Sequence, residues 1–453
     1  MIADLKPYPA IKGSGVPWLG EVPKHWEVLP NRALFFEVKE RECADEQMLS
    51  ITITQGIIKQ RALLAGSSKK DSSKQDKSAY KLVCPGDIAY NKMRAWQGAV
   101  GVSALRGIVS PAYVVVRPRN QNNPHYFHHL LRTPAFAKEA ERWSYGITSD
   151  MWSLRPEHFK MIYCSRPPIE EQATIVRFLD HAEQRIRRYI RAKKKLIKLL
   201  EEQKQAIIHR AVTRGLDLNV RLKPSGVEWV GEVPEHWAIK RLKWVTRLQR
   251  GYDLAADHRV PGPYAVVSSG GVIDYHYEPR SRGPGVVMGR YGSTDAVFFI
   301  EQDFWPHNTA LFVTDFQGNR PRWCYYMLRT ISKADHASKS AVPGVDRKDL
   351  YQIMVPVPPV YEQDVLVVGI EKESADLDKA ISSANREISL FHEYRTRLIA
   401  DVVTGKLDVR AAAASLPDEP DEPDASDESE VLAEGEEDAT DGALDATPEE
   451  AET

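Results

Sequence analysis

Lys92, Arg94 and Trp96 put two cations and an aromatic ring into one short turn closed by Gly98. An ammonium or guanidinium in such a turn binds phosphate oxygens, and the Arg94 fork matches the two acceptors on a guanine edge in a major groove. Trp96 reads as the residue that folds the turn. A second cationic run, Lys69, Lys70, Lys74 and Lys77, lies in the polar stretch Ser67 to Ser78 and is a candidate phosphate grip, with a plain surface loop as the competing reading. Later in the chain, Gly289-Arg290-Tyr291-Gly292-Ser293 takes the place of the Lys92 turn, which makes Arg290, Tyr291 and Ser293 candidates. His307 and Asn308 take the place of Val109-Ser110-Pro111, and the Asn308 amide can pair with adenine or cap a turn. Tyr145, Thr148 and Ser149, with Lys339 and Ser340 in the parallel position, form loops whose hydroxyls and ammonium can donate to phosphates or bases.

No catalytic set accompanies these groups. Glu37-Val38-Lys39 is half of a nuclease carboxylate–lysine motif without its Pro-Asp partner. Asn123-Pro124-His125-Tyr126 lacks the second proline of the amino-methyltransferase signature, and no cofactor loop precedes it. There is no Walker A sequence, and neither Gly283-Pro284-Gly285-Val286-Val287-Met288-Gly289 nor Gly13-Ser14-Gly15 has dinucleotide-loop spacing, so both read as turns. The 13 histidines are scattered, with no H-E-x-x-H pair, and the four cysteines (Cys43, Cys84, Cys164, Cys324) lie too far apart for a zinc knuckle or a disulfide framework. The expectation is a non-enzyme with no cofactor and no metal, in a reducing cytoplasm.

The net charge of −2 conceals an asymmetry. Residues 411 to 453 hold 17 Asp or Glu and no Lys or Arg, so over 1 to 410 there are 61 basic residues against 46 acidic ones, a net of +15. A basic body points to a polyanionic partner, because each phosphate contact releases condensed counterions. No apolar run reaches the roughly 18 residues of a membrane helix, and Met1 to Lys12 lacks a signal-peptide core, so neither membrane insertion nor secretion is expected.

The elements that must position these residues occur twice. Ser14-Gly15-Val16-Pro17-Trp18-Leu19-Gly20-Glu21-Val22-Pro23-Lys24-His25-Trp26 returns as Ser225-Gly226-Val227-Glu228-Trp229-Val230-Gly231-Glu232-Val233-Pro234-Glu235-His236-Trp237, with ten of thirteen positions identical and an offset of 211. Pro168-Ile169-Glu170-Glu171-Gln172 returns as Pro359-Val360-Tyr361-Glu362-Gln363 at an offset of 191, and Val212-Thr213-Arg214-Gly215-Leu216-Asp217 is answered by Val403-Thr404-Gly405-Lys406-Leu407-Asp408. The parts after each Glu-Gln keep register while the parts before diverge by 20 residues.

Between each Glu-Gln and its closing Val-Thr the apolar residues step by three and four, the a/d pattern of a long helix. The first seam runs Ile175, Leu179, Ala182, Ile186, Tyr189, Lys193, Leu196, Leu200, Gln203, Ile207; the second runs Leu366, Ile370, Leu377, Ile381, Ala384, Ile388, Phe391, Leu398, with a weak step near Glu373. At ~1.5 Å per residue each helix is a rod of roughly 55 Å that needs a partner. The first carries Arg185, Arg187, Arg188, Arg191, Lys193, Lys194, Lys195 and Lys198, the second Glu371, Glu373, Asp376, Asp378, Glu387 and Glu393, so opposite flanking charge favours their pairing with each other. Two solvated faces of different sign are the plainer alternative.

The globular stretches mix strands such as Ala112 to Val116 and Ala310 to Val313 with short helices, His125 to Leu131 and Trp323 to Ile331, giving a mixed α/β (α+β) fold. The segments expected are 1–26 with the first opening motif, 27–165 globular, 166–215 helix, 216–237 linker with the second opening motif, 238–355 globular, 356–410 helix, and 411–453 an acidic disordered tail.

On the duplicated opening motif, the paired Pro-Pro-x-x-Glu-Gln segments, Tyr90-Asn91-Lys92-Met93-Arg94-Ala95-Trp96-Gln97-Gly98 and Val109-Ser110-Pro111-Ala112-Tyr113, the chain resembles the specificity subunit of Type I restriction-modification systems from about residue 10 to 410. The resemblance implies two target-recognition domains, 27–165 and 238–355, held apart by an antiparallel coiled-coil pair of helices in a pseudo-two-fold tandem repeat. It implies double-stranded DNA as ligand, two docked methyltransferase subunits, and restriction subunits that are translocase-nucleases. Two-fold readers address half-sites about 34 Å apart; dissimilar readers address a split, asymmetric target. The acidic tail departs from the family pattern and reads as a solubility element or as a polyanion competing with DNA for the readers. Two other classes stay open: a self-contained DNA methyltransferase or nuclease with drifted motifs, and a coiled-coil scaffold without nucleic acid.

Overall fold

Val114, Val115 and Val116 are all buried, so strand Tyr113–Pro118 must be covered on both faces. In the computed structural model, which describes residues 5–64, 77–146, 152–217, 219–290, 296–331 and 346–417, this strand lies inside a four-stranded antiparallel sheet. The order is Phe35–Val38, Tyr113–Pro118, Ile88–Asn91, Val100–Val102. The second globular region repeats that order with Arg247–Arg250, Ala310–Asp315, Gly285–Gly289 and Val297–Ile300. After the longest strand each region enters a helix with proline in its first turn, Pro124–Leu131 or Pro321–Thr330. Proline fits there because the missing N–H would have no intrahelical acceptor anyway.

The two readers part company beside this shared sheet. In the first, Lys81–Val83 pairs antiparallel with Gly107–Val109. In the second, Tyr264–Ser268 pairs parallel with Phe304–Pro306 and folds back on Gly271–His276. The divergence seen in the sequence is therefore concentrated in side sheets.

Two helices dominate the rest, Ile169–Arg214 and Val360–Val403. The chain divides into two compact units that cut both of them: Met1–Arg191 with Ile388–Thr453, and Ala192–Glu387. In the first unit Arg395 Nε donates to Glu183 at 2.7 Å and Tyr189 stacks on Phe391 with ring centroids 5.7 Å apart. In the second, Lys193 meets Glu387 at 2.8 Å, Arg210 meets Glu373 at 2.6 Å, and Lys204 binds Asp378. In each unit the paired residue numbers rise on one helix as they fall on the other, so the pairing is antiparallel, and the opposite charges are its flanks.

The expected seam of the first helix is corrected in its second half. Ile175, Leu179, Ala182 and Ile186 are buried as expected, but Tyr189 and Leu196 are 48% and 42% exposed while Ile190 and Ile208 are buried. A strict step of 3.5 drifts off the face of a helix that turns at about 3.6 residues, so burial moves one residue along. On the second helix the seam holds, and its weak step is filled by Ser374, whose hydroxyl donates to the Ile370 carbonyl at 2.6 Å.

Each core combines one reader with the start of the helix that follows it and the end of the other helix. Trp26, Tyr126, Phe127 and Phe159 pack with Ile175, Leu179, Val402 and Val403; Trp237, Trp323, Met327 and Leu350 pack with Ile208, Val212, Leu366 and Ile370. The acidic tail does not begin at Ala411 as expected. Arg410–Ala414 is helical, Ala413 is buried and the Leu416 carbonyl accepts from Arg177 at 2.9 Å, because the alanines favour helix and give the first core more apolar surface. Residues 418–453 lie outside the described ones. No helix among the described residues is long and apolar enough to cross a membrane, and no cluster of His, Cys, Asp or Glu there has metal-site geometry.

Candidate nucleic-acid interface

The repeated motifs turn out to be clasps that fix the readers on the helices. Glu171, nearly buried in the first turn of its helix, accepts from Tyr8 Oη at 2.6 Å and Trp26 Nε1 at 3.1 Å, and its other oxygen lies 2.7 Å from His25 Nε2. Next to it the Gln172 amide donates to Asn122 Oδ1 at 3.2 Å and the Pro167 carbonyl at 2.9 Å, while its oxygen accepts from the Asn123 N–H at 2.8 Å. The second unit repeats this geometry. Glu362 lies 2.8 Å from His236, and Gln363 donates to Asn319 at 2.8 Å and Pro358 at 3.1 Å while accepting from the Arg320 N–H at 2.8 Å. Asn123, set aside as a catalytic motif, caps its helix by accepting from the His125 N–H at 2.9 Å.

With the reader so fixed, the turn after strand Ile88–Asn91 presents Lys92 and Arg94. Asn91 Oδ1 accepts from the Met93 N–H at 3.0 Å, the Trp96 indole donates to the Met93 carbonyl at 3.0 Å, and Trp96 packs edge-on to Trp152 at 5.6 Å. Trp96 is thus the brace of the turn. The Lys92 carbonyl accepts from the Leu154 N–H at 2.9 Å, and Ser153 pairs with Tyr145, which is 61% exposed, so the turn and Tyr145 share one edge. Lys77 is half-buried, and its carbonyl accepts from the Tyr80 N–H at 3.0 Å.

Four cations gather at this turn: Lys92, Lys39, which the sequence offered only as half of a nuclease motif, and Lys81 and Arg41, which it did not single out. Lys81 is buried, with Nζ donating to the Tyr113 carbonyl at 2.6 Å. Burial first, then the charges of Lys92, Arg41 and Lys39, push its ammonium below the ordinary lysine range, with Glu37 pulling the other way. Glu37 itself binds Lys160 at 3.0 Å. Lys39 and Arg41 follow the end of strand Phe35–Val38, which carries Glu37.

In the second reader Arg290 follows strand Gly285–Gly289 as Lys92 follows its own strand, and its N–H donates to the Thr309 carbonyl at 3.3 Å, beside His307 and Asn308. The Asn308 amide hydrogen is committed to Asp253 at 2.7 Å, which ties this loop to its neighbour. His307 Nδ1 lies 3.2 Å from the Thr309 hydroxyl, and burial, then Arg259, hold its ring below the ordinary histidine range. The structure therefore gathers Lys92, Arg94, Trp96 and Tyr145 in one reader and Arg290, His307 and Asn308 in the other. Lys69, Lys70, Lys74, Thr148, Ser149, Tyr291, Ser293, Lys339 and Ser340 lie outside the described residues.

Comparison with known proteins brings the clasps and sheets into one frame. The chain is 21% identical over 427 residues to a protein of Methanocaldococcus jannaschii provisionally named type I restriction enzyme MjaX specificity subunit, an alignment covering 86% of this chain and 96% of that relative. A chain from a structure on complex assembly and conformational transition of the type I R-M system superposes with a TM-score of 0.59 at 15% identity, covering 85% of this chain and 99% of that one. The chain is similar in sequence to a type I specificity subunit and shares the fold of a chain from that system. The HsdS subunit from Thermoanaerobacter tengcongensis, at a TM-score of 0.41 and 14% identity over 85% and 98% of the two chains, overlaps too loosely to bear on the fold. No family profile matches the chain.

Within this specificity-subunit fold, the sequence signal that would have found Asn122 and Asn319 was present. Asn122-Asn123-Pro124 and Asn319-Arg320-Pro321 are both Asn-x-Pro at the start of a helix, and both asparagines hold the glutamine of the repeated Glu-Gln. Lys81, Lys39 and Arg41 carried no such signal, since 40 residues separate Arg41 from Lys81 and backbone pairing, Leu82 N–H with the Glu40 carbonyl at 2.9 Å and Glu42 N–H with the Ser78 carbonyl at 3.4 Å, joins the two segments.

Proposed function

We propose that this chain is the non-catalytic DNA-recognition subunit of a type I restriction–modification complex. It reads a split, asymmetric duplex site with residues 27–165 on one half and 238–355 on the other, and the paired helices set the spacing between them. Methyltransferase subunits, two in number, dock on the chain, and restriction subunits that translocate and cut DNA join the same assembly in the cytoplasm. In this reading Lys92, Arg94, Trp96 and Tyr145 serve the first half-site, and Arg290, His307 and Asn308 the second, together with the candidates within 65–76, 147–151, 291–295 and 332–345.

One observation carries this reading above the others. The same sheet order occurs twice, each time with a cation at the end of the same strand and each time tied through Asn, Gln, Glu and His to the start of a long helix. A scaffold without ligand has no use for two such cation-bearing turns, and the differing side sheets are what two different half-sites require.

The test is selection of bound duplexes from a randomised pool by the purified chain with its methyltransferase partner. The expected product is a motif of two unlike halves with a fixed gap. Recovery of duplexes with no sequence preference would sink the proposal, as would methylation or cleavage by the chain alone.

A further inference from the structure

We propose that the segment after strand Phe35–Val38, which carries Lys39 and Arg41, together with Lys92 forms a phosphodiester-binding site of the first reader, with the buried Lys81 ammonium as its floor. This rests on the DNA-recognition reading and adds where the backbone of the duplex is held.

Three backbone contacts assemble the site. Lys81 Nζ is bonded to the Tyr113 carbonyl, and Tyr113 pairs with Asn91, the residue before Lys92. The Leu82 N–H donates to the Glu40 carbonyl at 2.9 Å, which brings Lys39 and Arg41 alongside Lys81. Glu37, Lys39 and Arg41 all act on the Lys81 ammonium, whereas Glu40 acts on Arg117. Glu37 is the carboxylate acting on Lys81, and it is already engaged by Lys160 at 3.0 Å and Lys39 at 3.9 Å.

A site built this way is short of negative charge. Three cations act on Lys81, the most buried of the four, and its ammonium uses one N–H on a carbonyl rather than on a carboxylate. Ordinary buried ammonium groups are paired with an anion. A phosphate oxygen over Lys39, Arg41 and Lys92 supplies the missing charge, and the low polarity around Lys81 keeps its attraction from being screened by salt as fully as that of a surface lysine. Lys39 and Arg41 are exposed, so the site is open to a duplex. A phosphodiester contact there is blind to sequence and positions the neighbouring Arg94 turn for the bases.

The test is fluorescence anisotropy of the full chain on a labelled duplex of arbitrary sequence, with KCl varied from about 50 to 250 mM. Each lost phosphate contact lowers the slope of log K against log salt by about 0.9. The combined variant Lys39→Gln, Arg41→Gln, Lys92→Gln is expected to lose a slope of about one and to bind at least tenfold more weakly at low salt. Lys379→Gln, an exposed lysine of the other unit, is expected to retain the wild-type slope. An unchanged slope in the triple variant, with the thermal midpoint of the wild type, overturns the site and leaves the recognition reading standing. Failure of the wild-type chain to bind any duplex at low salt overturns both.

Discussion

Glu171 and His25 meet at 2.7 Å across 146 residues of chain, and Glu362 and His236 repeat the contact at 2.8 Å across 126. The two carboxylates do not carry equal loads. Glu171 also holds the Tyr8 hydroxyl and the Trp26 indole and is 7% exposed, whereas the Glu362 side chain is 21% exposed and the Trp237 indole finds no acceptor among the described residues. Removing an acceptor costs most where the donors left behind are buried. Glu171→Ala is therefore expected to destabilise the chain by about 3 kcal/mol and Glu362→Ala by about 1 kcal/mol. Urea unfolding of the two variants decides it, and equal losses would contradict the asymmetry.

Gln172 and Gln363 lie at a deeper point of the same clasp. Both are fully buried, and each amide satisfies an Asn oxygen, a Pro carbonyl and a helix-entry N–H. Replacement by Ala leaves those groups dry and unpaired, at an expected loss of about 2 to 3 kcal/mol for either position. Glu, the isosteric change, keeps the acceptor but loses both donated bonds, so it should rescue little. A rescue to wild-type melting temperature by Gln172→Glu would show that the amide donors are unimportant.

These clasps show what the sequence makes legible and what it hides. The repeat of Glu-Gln and of His-Trp is visible as spelling, and the long helices, the strands at 113 and 310 and the helices at 124 and 321 follow from periodicity and proline placement. That His25 and Glu171 are partners is not visible, because nothing local encodes a contact over 146 residues. The seam of the first helix was legible to Ile186 and slipped beyond it, since heptad counting assumes a supercoil that this helix does not keep. The cation cluster was half legible: Lys92 stands out in its turn, but Lys81 looks like an ordinary strand residue until pairing brings Lys39 and Arg41 to it.

His128 gives the first reader a sensitivity to mild acid. Its Nδ1 accepts from the Val102 N–H at 3.2 Å, and burial first, then Arg132 and His129, hold the ring well below the ordinary histidine range. The folded chain keeps this ring neutral while the unfolded chain takes up a proton near pH 6.5, so the unfolded state binds more protons as pH falls. Stability is expected to drop between about pH 7 and pH 5 by up to 1.4 kcal/mol per unit from this group. His128→Gln should flatten that limb by one proton's worth. Identical pH slopes in wild type and variant would exclude the assignment.

Gly405 ends the second long helix with φ of +79°, and a Cβ there would lie 2.2 Å from Pro23 Cδ. Gly15 has φ of +71° with nothing within 4 Å of its would-be Cβ. Both alanine variants strain the backbone by about 1 kcal/mol, and only Gly405→Ala also pushes the opening motif off the helix end. The expected outcome is a loss at least 2 kcal/mol larger for Gly405→Ala than for Gly15→Ala in thermal or urea unfolding, the difference being an overpacking cost. Similar losses would mean that the helix end and Pro23 yield freely.

Arg94 lies in the turn after strand Ile88–Asn91 and Arg290 directly follows the corresponding strand Gly285–Gly289 of the other reader, so under the recognition reading each informs one half-site alone. A guanidinium at a base edge is worth about 1 to 3 kcal/mol of discrimination at one position, whereas a phosphate contact weakens all sequences alike. Arg94→Ala is expected to relax one base pair in one half of the selected motif and leave the other half intact, and Arg290→Ala to do the converse. Trp96 and Asn91 brace the first turn through the Met93 backbone. Selection from a randomised duplex pool reads both halves at once. Relaxation of both halves by a single substitution would mean that the readers are not independent, and a uniform loss of affinity with the motif unchanged would move these arginines from the bases to the backbone.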